Sequence, residues 1–111
     1  MFDGGKLVRN RIPELIRNNG KNEVPVFRQV TGHHLQLSFH RKYNEEGSEI
    51  WRADTPEKRK EEFADALQVL MDWTSLNNIS WEEVKRCRQQ KFEERGGFSE
   101  GIILDSVEMG P

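Results

Sequence analysis

The 111-residue chain is 32% charged and only 34% hydrophobic, with a net charge of −2. That balance excludes a chain-wide basic field for nucleic acid or an anionic membrane, and no apolar run has the length of a membrane span or a signal-peptide core. A single cysteine, Cys87, rules out an intramolecular disulfide, so a cytoplasmic location is expected. One domain is expected, with a core lean enough to gain from assembly into a homodimer or homotetramer.

The first segment crowds Lys6, Arg9 and Arg11 ahead of a short helix that Pro13 can open and Gly20 can end. These cations read either as a basic surface arm or as phosphate clamps near a helix start, where backbone N–H groups also favour anions. Residues 24–30 alternate weakly around Pro25, which suits a short edge strand. Its expected partner is the apolar run at residues 102–107.

Thr31-Gly32 starts a helix expected to run to about Ala53. His33, His34 and His40 lie on it, but no cysteine or second histidine pair completes a tetrahedral zinc site, so they are expected to face solvent or support other residues. Gly47 inside it costs about 1 kcal/mol relative to alanine and either permits close approach of a neighbouring helix or ligand or is simply tolerated there. Thr55-Pro56, a capping hydroxyl before a proline, predicts a second helix to about Leu76. Its expected buried arc holds Phe63, Ala66, Leu67, Val69, Leu70 and Trp73. Ser80-Trp-Glu-Glu83 reads as a capping box for a third long helix, ended by Gly96-Gly97. On that helix Arg88, Lys91 and Arg95 share an arc with Trp81, Val84 and Phe92, either snorkelling past apolar surface or meeting phosphates. Cys87 has no base beside it and reads as a packing residue. Phe98 suits stacking on a base or anchoring the turn.

The two central helices repeat one pattern. Lys42-Tyr-Asn-Glu45-Glu46-Gly-Ser-Glu49 is echoed by Lys58-Arg-Lys-Glu61-Glu62-Phe-Ala-Asp65. At about 100° per residue, with Glu49 at zero, Glu46 falls near +60°, inside the arc of Leu35, Phe39, Tyr43 and Ile50 at about +40° to +120°. With Asp65 at zero, Glu62 is near about +60°, between Val69 and Trp73. Carboxylates three or four apart repel, and one pushed onto an apolar face is costly unless paired or bound to a metal. Two facing helices that aim such acids at one place suit a hard cation, magnesium or manganese, which also meets phosphates.

These residues resemble the all-α nucleoside triphosphate pyrophosphohydrolases of the MazG-like superfamily, whose signature is EExxE, a spacer and ExxD. Glu45-Glu46-Gly-Ser-Glu49 and Glu62-Phe-Ala-Asp65 carry that likeness. The ends look closest to the phosphoribosyl-ATP pyrophosphohydrolase-like branch. They are Lys6-Leu-Val-Arg9-Asn10-Arg11-Ile-Pro13-Glu14, with Asn10 where that branch has aspartate, and Lys91-Phe-Glu-Glu-Arg95-Gly96-Gly97-Phe98. The resemblance implies a mainly α, oligomeric helical bundle that hydrolyses a nucleotide between its α and β phosphates. Glu46, Glu49, Glu62 and Asp65 would bind magnesium, with manganese as substitute. Glu45 and Glu49 would be catalytic, Glu45 by orienting or deprotonating the attacking water. Arg9, Arg11, Lys42, Lys91 and Arg95 would meet phosphates, with Phe98 on the base. The alternatives are a weakly catalytic nucleotide or metal sensor of the same fold, and a plain helical interaction module.

Overall fold

The computed structural model describes residues 5–111, which are mainly helical: α1 (Ile12–Arg17), α2 (Gly32–Arg52), α3 (Pro56–Leu76) and α4 (Trp81–Arg95). The described residues up to Asn78 and those from Ile79 onwards form two compact units.

In the first unit, Pro13 sits in the first turn of α1, where its missing N–H would have had no helical partner, and the helix ends at Asn18, before Gly20. α2 and α3 form an antiparallel hairpin, which their short connection through Asp54 requires. The turn is held by its own polar groups. Thr55 Oγ1 accepts from the Lys58 N–H at 3.1 Å and caps α3. The Arg59 guanidinium donates to the carbonyls of Ile50 and Ala53, at 3.3 and 2.6 Å, covering acceptors that the end of α2 leaves open.

At the opposite end, Trp73 Nε1 donates to Gln36 Oε1 at 2.8 Å, and Gln36 Nε2 donates to Asn77 Oδ1 at 2.7 Å. The Trp73 ring stacks on Phe39 with centroids 6.2 Å apart and leans on Tyr43 at 6.4 Å. Polar bonds at both ends and aromatic packing between them fix the register of the hairpin. That register sets Glu46 on α2 against Glu62 and Asp65 on α3.

Three expectations need correction, the first about burial on α3. Within the expected arc of α3 only Ala66 is buried; Val69, Leu70 and Trp73 are half-buried, while Phe63 and Leu67 remain 57% and 48% exposed. A single partner helix covers one stripe, and the apolar arc of α3 is wider than the stripe α2 covers. The expected strand pair does not form: no strand occurs among the described residues, and Val24, Val26, Ile102 and Leu104 are exposed. Pro25 lacks a ladder donor, and a lone two-stranded pair is marginal in water.

In the second unit, Ser80 Oγ accepts from the Glu83 N–H at 3.1 Å and starts α4. Gly96 ends it at φ 79°, a conformation that glycine takes without a Cβ penalty, with its N–H on the Phe92 carbonyl at 2.8 Å. Cys87 is exposed on this helix rather than packed. Among the described residues, no helix is long and apolar enough to cross a membrane.

Candidate functional site

Glu46 is the buried charge of the hairpin, only 5% exposed, and it is buried because it occupies the apolar stripe of α2. One ligand oxygen each from Glu46, Glu62 and Asp65 lies within 4.8 Å of the others. Lys42, one turn earlier and itself mostly covered, places Nζ 3.3 Å from Glu46 Oε1. Glu46 Oε2 is buried with no hydrogen-bond partner. An unpartnered buried acceptor costs about 1–3 kcal/mol, and more when charged. An oxygen donor set with one member left open in this way fits a hard cation such as magnesium or manganese.

The neighbourhood also acts on Glu62. Desolvation, a hydrogen bond that only the protonated Glu62 carboxyl could donate to Glu46, and the charges of Glu46, Asp65 and Glu49 together raise its carboxyl above the ordinary value of 4.5. Because the folded value lies above the unfolded one, the metal-free fold holds this proton more tightly than the unfolded chain does. The stability linked to Glu62 is therefore full below the unfolded value and is lost as pH rises through the raised one. Cation binding needs the ionised carboxylate and runs the opposite way. Magnesium affinity, followed by calorimetric titration at a series of pH values, should climb with pH above 4.5. Glu62→Gln should lower affinity and flatten part of that climb; an unchanged slope in the variant would assign the titration elsewhere.

The other sequence-derived candidates fall into distinct places. Glu45 is half-buried beside the cluster, with Lys42 Nζ at 3.5 Å and Lys6 Nζ at 3.7 Å. Glu49 stands outside the close group, its Oε1 accepting from Arg52 at 3.0 Å on the same helix. Arg9 reaches the cluster directly: its Nη2 donates to Asp65 Oδ1 at 2.6 Å. Arg11 instead pairs with Glu14 of α1 at 3.5 Å. Lys91, Arg95 and Phe98 belong to the second unit and are exposed there. His33, His34 and His40 are exposed, in agreement with a solvent-facing role.

A cavity of about 540 Å³ opens beside the acids, with Lys42, Glu46 and Asp65 in its lining. The basic N-terminal segment forms one wall through Lys6 to Asn10, and α3 forms another through Asp65, Gln68, Val69 and Asp72. Gln68 was not legible as a candidate from the doubled acid motif. The signal that finds it is the spacing 65, 68, 69, 72, which is one face of a helix. Lys6 was legible only as part of a basic arm, and the fold brings it to Glu45. Comparison with protein-family profiles, curated proteins and solved structures yields no match for this chain.

Proposed function

We propose that this chain is a magnesium-dependent nucleotide pyrophosphohydrolase, cleaving a nucleoside triphosphate at the α–β bond to monophosphate and pyrophosphate, as its MazG-like motifs suggest. The observation that carries the reading is Glu46, buried with one oxygen unpartnered and grouped with Glu62 and Asp65 across the hairpin. Glu46, Glu62 and Asp65 would hold the cation, and Glu49 would join them by releasing Arg52. When bound, the cation supplies charge neutralisation at the phosphates and a more acidic water. Glu45 takes the proton of the attacking water. The water oxygen bonds to phosphorus, the bridging P–O bond breaks, and pyrophosphate leaves with the electron pair. Arg9 and Lys42, already at the cavity, neutralise phosphate oxygens without covalent chemistry, which is the main demand of phosphoryl transfer. Lys91, Arg95 and Phe98 enter this reading through the motif resemblance alone. Pyrophosphate release over a panel of nucleoside triphosphates, with magnesium, manganese or chelator, tests the reading. Binding without release would select a nucleotide sensor, and neither binding nor release would leave a helical interaction module.

The reading includes a homo-oligomer. Ala66 and Glu46 are the only buried residues among those described, while Phe63 and Leu67 project from α3 as exposed apolar side chains. A second copy covering that face would supply the burial that one helix pair lacks. Light scattering at micromolar concentration should report at least two chains, and Leu67→Glu should shift the population towards one. A wild-type monomer at that concentration would remove the oligomer from the reading.

A further inference from the structure

The cavity beside the acids is lined by both charged and apolar side chains. Lys42, Glu46, Asp65 and Arg9 concentrate charge beside the acid cluster, while one turn further along α2 and α3 Phe39 and Val69 add apolar lining, as Leu7, Val8 and Ile12 do from the N-terminal segment. Along α3 the lining passes from Asp65 through Gln68 and Val69 to Asp72. Seven residues of helix advance about 10 Å, so Asp72 stands well away from the acid cluster along the same groove. A nucleotide calls for both kinds of lining: anionic phosphates at one end, a flat and largely apolar ring with a polar edge at the other.

Gln68 and Asp72 supply a polar edge of their own. Gln68 Nε2 donates to Asp72 Oδ2 at 3.2 Å. An ionised carboxylate only accepts hydrogen bonds, so the amide nitrogen must be the atom that faces it. The bond orients Asp72 and engages one of its oxygens. Unlike Asp65, which Arg9 holds, Asp72 has no cationic partner among the described residues. It is therefore an oriented acceptor still available to a ligand on the cavity wall.

We propose that Gln68 and Asp72 form the base-reading subsite of this cavity and that it prefers guanine nucleotides. The inference rests on the nucleotide reading above. An acceptor-only carboxylate selects for N–H donors. Guanine presents a ring N–H and an exocyclic amine side by side, which a carboxylate can accept bidentately. Adenine and cytosine present one amine beside an unprotonated ring nitrogen that repels the second oxygen. Uracil presents one N–H between two carbonyls and is the poorest match. Phe39 and Val69 give the ring an apolar wall, and Gln68 keeps the carboxylate in place.

The test is calorimetric titration of the full chain, in magnesium, with α,β-methylene analogues of GTP, ATP, CTP and UTP. The GTP analogue should bind tightest and the UTP analogue weakest, with about tenfold or more between them, the discrimination of a good bidentate pair. Asp72→Asn, an isosteric change at an exposed helix position, should collapse that ratio while magnesium affinity without nucleotide stays unchanged. Gln68→Ala should reduce the ratio less. A flat wild-type panel, or a guanine preference that survives Asp72→Asn, overturns the base subsite and leaves the nucleotide reading standing. Failure of every analogue to bind a magnesium-loaded chain overturns both.

Discussion

Asp65→Asn and Glu46→Gln are each expected to lower magnesium affinity and pyrophosphate release by about two orders of magnitude or more, because each removes a ligand charge from a three-carboxylate group. The two variants should differ in stability. Asp65 is paired with Arg9 in an ion pair open to solvent on both sides, worth at most about 1 kcal/mol, so its loss should hardly move the melting temperature in chelator. Glu46 is buried, and its exchange for glutamine leaves Lys42 with Glu45 alone, at 3.5 Å. It also relieves the repulsion from Glu62 and Asp65, so the net stability change is a difference of opposed terms. Magnesium titration of each variant, with melts in chelator alongside, separates ligand loss from fold loss. Full magnesium affinity in both variants would remove the metal assignment.

Arg9→Ala should move two affinities in opposite directions. The Arg9 guanidinium and a divalent cation draw on the same carboxylate, since Nη2 sits 2.6 Å from Asp65 Oδ1. Removing it takes away a competitor, and magnesium in the absence of nucleotide should bind up to about fivefold more tightly, the worth of a solvent-exposed ion pair. The same change removes a phosphate partner. A charge-assisted hydrogen bond is worth about 1.5–3 kcal/mol, so nucleotide affinity should fall about tenfold or more. Arg9→Lys should recover part of the nucleotide loss, since a lysine keeps the charge but not the bidentate fork. Equal weakening of both ligands would instead make Arg9 a structural tie between the N-terminal segment and α3.

Local chemistry is what the sequence by itself determined. Thr55-Pro56 and Ser80 are caps whose hydroxyls act within three residues, so the starts of α3 and α4 were legible before any packing was known. The helical period alone put Glu46 on an apolar stripe, and it is the buried acid of the hairpin. Tertiary structure decided the rest, because distances between elements are not written in any one of them. The pairing of Gln36 with Trp73 and Asn77 at one end, and of Arg59 with Ile50 and Ala53 at the other, sets the register. Only that register brings Glu62 and Asp65 to Glu46, while Glu49, equally prominent in the doubled motif, is taken by Arg52. Arg9 and Arg11 are indistinguishable as a basic pair in the sequence; the path of the chain gives one to Asp65 and the other to Glu14. Residues 24–30 alternate weakly and 102–107 open on three apolar residues, yet neither forms a strand, since a ladder needs a partner and a local pattern cannot supply one.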